Sequence, residues 1–185
     1  GKENTGIRAY HINVNMSVGV IPPSHHTNLQ EYYKLLQDPD VEFALKEKVN
    51  TIHHENIRSV DMWSSFDIQS SGFVYDEVHC DHPDKSLTML LYLAEPGDDE
   101  KLGTMFYRPD VPGKNLNVVN DWIARAKFLP NSALFFAPCE VPGYISNHSM
   151  MHLSKKTSFR KSIQTFWLRK KVDWTRPQSG RIELK

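Results

Sequence analysis

The chain has 185 residues, 39% of them hydrophobic and 24% charged, with 22 Lys and Arg balancing 22 Asp and Glu. Such a composition describes one globular domain, taken as residues 1–185, that buries a core without cross-links, and it excludes a disordered, collagenous or disulfide-stapled protein. Zero net charge argues against a uniformly basic nucleic-acid binder, and the longest apolar runs, such as Leu90 to Ala94, are strand-sized rather than membrane-spanning. Two cysteines, Cys80 and Cys139, with no Cys-x-x-Cys spacing suit a reducing compartment, with cytoplasm as the default. The start, Gly1-Lys2-Glu3-Asn4, has neither an initiator Met nor a signal-peptide stretch, so preceding residues are expected to be missing.

In chain order, Tyr10 to Val20 alternates apolar and polar residues, the period of a half-buried strand or hairpin, and Pro22-Pro23 ends it. Asn28 to Gln37 reads as a short helix capped by Thr27 or Asn28, and Asp38-Pro39 starts a second one. In that second helix Val41, Leu45, Val49 and Ile52 form a core-facing stripe, with Glu42, Lys46, Glu47 and Lys48 toward water. From about residue 58 the predicted elements are strands: Ser59–Gln69, Phe73–His79, Ser86–Leu93, Thr104–Tyr107, Ala133–Ala137, Gly143–His148 and Ser162–Leu168. Val118 to Lys127 is the one further helix candidate, and Pro96-Gly97-Asp98-Asp99 and Pro112-Gly113-Lys114-Asn115 are the clearest turns. Helices followed by seven or eight short strands predict a mainly β (α+β) fold, a double-stranded β-helix or jelly-roll barrel with helices packed on one face. From Lys155 onward ten Lys and Arg face only two acidic residues, a surplus read as a solvated end of the chain.

The segment that carries chemistry is Val78-His79-Cys80-Asp81-His82-Pro83-Asp84-Lys85, at a strand end. Residues i and i+2 of a strand share a face, so the His79 imidazole and the Asp81 carboxylate converge while Cys80 points away. A third ligand must come from a distant segment, and His148 or His152 supplies it. Two imidazoles and one carboxylate on one side of an ion leave open positions, the arrangement that suits non-haem Fe(II) and oxygen chemistry.

His79 to Leu93, with His-x-Asp, a following Pro and the strand Thr88-Met89-Leu90-Leu91-Tyr92-Leu93, closely resembles the iron-binding stretch of the 2-oxoglutarate and Fe(II)-dependent dioxygenases of the prolyl-hydroxylase-like group. Gly103-Thr104-Met105-Phe106-Tyr107, Asn131 to Phe136 and Arg160 to Trp167 resemble three later strands of that family, in the same order, so the likeness spans about residues 59 to 169. The resemblance implies that His79, Asp81 and His148 hold Fe(II), with His148 favoured over His152 by its spacing to Arg160. It implies that Arg160 pairs with the distal carboxylate of 2-oxoglutarate, assisted by the Ser162 hydroxyl and the Tyr92 phenol, with O2 as the other co-substrate. A planar guanidinium fork suits that carboxylate, and Ser162 lies on the same strand face. Tyr75 and Leu90 are assigned to the substrate pocket, Leu90 because it shares a face with Thr88 and Tyr92. The implied reaction is hydroxylation of a C–H bond with release of succinate and CO2.

The remaining histidines, His11, His25, His26, His53 and His54, are read as surface or structural, and His82 as stabilising the turn beside the site. Trp63, Trp122 and Trp167 are read as core or rim packing. The alternative function is a non-catalytic or sensor metal-binding module of the cupin type, which has no need of a buried guanidinium beside an open metal face. The expected partner is a small-molecule or amino-acid-like substrate, with no membrane and no nucleic acid; oligomeric state is not encoded in any readable pattern.

Overall fold

Strand β3 (Lys85–Leu93) is apolar on both faces because both faces are covered. In a computed structural model, which describes residues 12–13, 23–49, 59–70, 77–137, 145–150, 153 and 159–171, it lies in a five-stranded antiparallel sheet. The order there is β1 (Ile12–Asn13), β2 (Asp61–Ser70), β8 (Phe159–Leu168), β3 and β6 (Pro130–Phe136). A second antiparallel sheet has the order β5 (Trp122–Arg125), β4 (Thr104–Tyr107) and β7 (His148–Met150). Alternation along β3 sends Leu87 and Met89 to the outer face, where they meet Met62, Trp167 and the helical residues Leu36, Tyr32, Tyr33, Leu45 and Val49. Helices α1 (Pro23–Gln37) and α2 (Pro39–Val49) therefore cover one face of the larger sheet. Trp167 is the largest side chain buried there, and its indole N–H donates to the Leu36 carbonyl at 3.2 Å. A buried Trp of this kind contributes about 3–5 kcal/mol.

Leu90 and Tyr92 point the other way and form a second core with Phe136, Leu102, Phe128, Met150 and Leu153, joined by Phe106. Both sheets supply these residues, so this core lies between them. Beyond the stacked pair Trp63 and Phe166, the inner face of β2 and β8 is polar: Ser65, Asp67 and Gln69 stand opposite Gln164, Ser162 and Arg160 in register. Gly103 explains the tight seam between β4 and the loop after β5, since a Cβ there would lie 1.8 Å from the Ala126 carbonyl oxygen. Gly97, at φ +97°, makes the turn after β3 that Pro96-Gly97 predicts.

Several boundaries differ from expectation. Helix α1 begins at Pro23, four or five residues before the predicted cap at Thr27 or Asn28, because proline is tolerated in the first turn. Val118 to Lys127 forms no helix: Asn117 accepts hydrogen bonds from the Val119 and Asn120 amides at 2.9 and 3.1 Å, and the chain then extends into β5. That strand satisfies the edge of β4, a demand that local propensity does not register. Glu42 does not face water: its carboxylate accepts the Ser59 amide at 2.9 Å and Lys46 at 2.5 Å, tying α2 to the start of β2. Within the basic end, whose described part is 159–171, Arg160 is 3% exposed, Lys161 pairs with Glu95, and Lys170 pairs with Asp84 at 2.8 Å, so these residues are not merely solvated; Lys155, Lys156, Arg176, Arg181 and Lys185 lie outside the described residues. Of the strand predicted over Tyr10 to Val20, Ile12 and Asn13 are described, paired with Phe66 and Ser65. Phe73 to Asp76 and Gly143 to Tyr144, in two other predicted strands, lie outside the described residues, as do Tyr75, His152 and Cys139. Among the described residues no helix is long and apolar enough to cross a membrane.

Candidate metal centre

His79 and His148 come from segments about seventy residues apart in sequence and meet through a single antiparallel bridge. The His79 amide donates to the His148 carbonyl at 3.1 Å and the reverse bond is 2.8 Å, which sets the two rings 4.3 Å apart. With Asp81 they present one donor atom each within 4.8 Å of one another, the scale of three donors around one ion. His148 Nδ1 lies 2.8 Å from the Ser146 carbonyl. A carbonyl accepts only, so Nδ1 carries the proton and Nε2 is left bare as a ligand atom. The Phe136 ring, 4.6 Å from that of His148, walls the imidazole on the core side.

Asp81 is 8% exposed. Its Oδ2 accepts the Thr88 hydroxyl at 2.5 Å, and its Oδ1 accepts the Lys85 ammonium. Burial pushes this carboxyl up, but the charges of Lys85 and His148 and the hydrogen bonds from Lys85 and Thr88 outweigh it and hold it below the usual range. Burial drives His148 down to about 4, His79 reinforcing the effect and Asp81 opposing it; burial also lowers His79. Both imidazoles are thus neutral ligands at neutral pH.

The sign of these shifts gives a prediction for the metal-free protein. Between about pH 6.5 and 4 the unfolded chain binds a proton at His148 that the folded chain refuses, so stability is lost on acidification, by roughly 2–3 kcal/mol between pH 7 and 4.5. Asp81 acts in the same sense, but only below the ordinary carboxylate range. Urea unfolding in chelator at the two pH values measures the loss, which should shrink in His148→Ala; equal losses in both proteins would contradict the assignment.

Arg160 reaches into the polar inner face of the larger sheet and is 3% exposed. Its Nε donates to the Leu102 carbonyl at 2.7 Å, Nη1 to Gln69 Oε1 at 2.9 Å, and Nη2 to Thr104 Oγ1 at 3.5 Å. The guanidinium carbon lies 5.5 Å from the centre of the Tyr92 ring. Burial lowers its pKa, opposed by Tyr92 and Asp67. The Tyr92 phenol donates to Thr104 Oγ1 at 2.9 Å and accepts the Thr104 amide at 3.0 Å. Ser162 sits in register with both Asp67 and Tyr92, is fully buried, and its hydroxyl has no hydrogen-bond partner among the described residues. A buried orphan hydroxyl costs about 1–3 kcal/mol, so this position suits a polar ligand atom that supplies the missing bond.

The structure brings His79, Asp81 and His148 together, and places Arg160, Ser162 and Tyr92 on one polar stretch between the sheets. Leu90 is buried in the adjoining core. His82 is exposed and accepts the Asp84 amide through Nδ1 at 3.2 Å, a turn contact away from the three donors. Cys80 points away toward Ser146 Oγ, 3.7 Å from its sulfur. Trp63 stacks on Phe166 at 5.1 Å, whereas Trp122 is 40% exposed on the edge strand. Sequence reasoning missed Thr88, Lys85, Gln69 and Thr104; of these only Thr88 carried a signal, its shared face with Leu90 and Tyr92.

No protein-family model matches the chain, and no curated protein matches it. Among solved structures, the crystal structure of a Pseudomonas putida prolyl-4-hydroxylase matches at a TM-score of 0.50 and 13% identity, over 81% of this chain and 69% of that one. At that identity the likeness speaks to the fold: mainly β, two helices and antiparallel sheets, arranged as in that hydroxylase. The chain thus combines a fold like that of the hydroxylase with a candidate metal site made by His79, Asp81 and His148.

Proposed function

We propose that the protein is an Fe(II)- and 2-oxoglutarate-dependent oxygenase on a jelly-roll barrel, using O2 to hydroxylate a C–H bond of a small-molecule or amino-acid-like substrate. The observation that supports this best is the pairing of the His79, Asp81 and His148 group with a buried guanidinium and an orphan hydroxyl, Arg160 and Ser162. Iron, when bound, supplies the oxygen activation, coupled to decarboxylation of 2-oxoglutarate to succinate and CO2. The chain's own residues do the positioning. His148 offers Nε2 because Ser146 holds its Nδ1 proton, and Thr88 fixes the carboxylate plane of Asp81. Arg160, oriented by Gln69 and the Leu102 carbonyl, receives the distal carboxylate, and the Ser162 hydroxyl donates to it. Leu90, Phe136 and Phe106 belong to the apolar core beside these groups, and the Phe136 ring packs on His148. Burial of Arg160, 3% exposed, strengthens its contact with a carboxylate.

The test is succinate release from protein supplied with Fe(II), 2-oxoglutarate and air, with and without amino-acid-like small molecules. Succinate formation that stops in His148→Ala is expected. Metal binding with no succinate under any condition would favour the silent cupin-like module.

A further inference from the structure

The Lys85 ammonium sits on Asp81 Oδ1 while its carbon stem begins β3, four residues after Asp81 across the turn at Pro83. It also lies 3.6 Å from the centre of the Phe166 ring, on the inner face of β8. Both contacts place a positive charge at the mouth of the three-donor group, and that charge acts on His79, Asp81 and His148 alike. The two oxygens of Asp81 are thereby divided: Thr88 holds Oδ2 and Lys85 occupies Oδ1.

We infer that Lys85 is a resident cation of this site: its ammonium neutralises Asp81 in the metal-free protein, and a divalent metal binds by displacing it from Oδ1. The inference rests on the metal-binding reading above and extends it to how the site is loaded. A carboxylate this buried cannot be left unpaired without a large desolvation cost, so the empty site needs a cation of its own. Exchange of one cation for another at Oδ1 keeps that balance, and the Thr88 bond to Oδ2 preserves the carboxylate orientation throughout. The displaced ammonium has somewhere to go. Lys85 keeps about a fifth of its side chain exposed, and the face of Phe166 attracts a cation whether or not Asp81 is available. Exposed Asp84, the neighbouring acid, is already paired with Lys170 at 2.8 Å. Lys85 is thus a positioning residue that lowers metal affinity in return for a charge-balanced empty site.

The test is titration of the chelator-stripped protein, residues 1–185, with Mn(II) alone, without 2-oxoglutarate, followed by calorimetry and by the thermal midpoint of the metal-free form. Lys85→Met keeps the stem against Phe166 and removes the charge, and Lys85→Gln is the second neutral variant should the first misfold. Both are expected to bind Mn(II) about tenfold tighter than wild type while the metal-free form melts earlier. Loss of a merely structural lysine would instead loosen the site, so the direction of the change separates the two roles. Unchanged or weaker affinity in the variants, with wild-type binding still abolished by His148→Ala, overturns the inference and leaves the metal site standing. If wild type and His148→Ala bind Mn(II) alike, the metal site and the inference fall together.

Discussion

Arg160→Ala is expected to raise the 2-oxoglutarate concentration needed for half-saturation by at least about thirtyfold, because a buried charge-assisted pair lost on one side costs roughly 2–5 kcal/mol. The guanidinium is the charged donor that the inner face presents beside Ser162, and Gln69, Leu102 and Thr104 hold it through neutral acceptors. Asp67, two register positions away on β2 and on the same face, acts on it electrostatically and would lose that compensation. The same substitution strands the Leu102 carbonyl and the Gln69 amide, so the fold should also lose about 3–5 kcal/mol. Arg160→Lys separates the two effects: it keeps the charge without the fork, and its half-saturation should fall between those of wild type and alanine. Equilibrium binding of 2-oxoglutarate to the Fe(II)-loaded proteins, with folded fraction checked by urea unfolding, measures both. Equal affinities in wild type and both variants would remove Arg160 from the co-substrate site.

His148→Ala is expected to weaken Fe(II) or Mn(II) binding by a hundredfold or more, since even residues that only orient a ligand are worth ten- to a hundredfold. The effect on folding should be smaller. The imidazole packs against His79 and Phe136, but the bridge that unites the segments is made by backbone groups, and these remain. The variant should therefore stay folded at neutral pH while losing metal, as calorimetric titration alongside unfolding would register. Full metal affinity in His148→Ala would hand the ligand role to another residue.

Local chemistry was legible in the sequence and long-range pairing was not. His79 and Asp81 follow from a two-residue period at a strand end, and Leu90 and Tyr92 from the alternation of β3, because both patterns are set by backbone geometry alone. Choosing between His148 and His152 requires knowing which residue bridges to His79, a pairing across about seventy residues. Gln69 was invisible as a partner of Arg160 for the same reason, since it depends on the register of β2 against β8. Lys85 was hidden differently: a lysine opening a strand reads as solvated, and only the turn at Pro83 folds it back onto Asp81. The misread stretch Val118 to Lys127 shows a tertiary demand, the open edge of β4, overriding helix propensity.

The most direct measurement is an anaerobic titration of the metal-free protein with Fe(II) and then 2-oxoglutarate, followed by visible absorption. A charge-transfer band that forms only when both are present, vanishes in His148→Ala, and needs far more 2-oxoglutarate in Arg160→Ala is the result expected for an iron chelate anchored at Arg160. Absence of the band in wild-type protein that demonstrably binds Fe(II) would contradict the oxygenase reading.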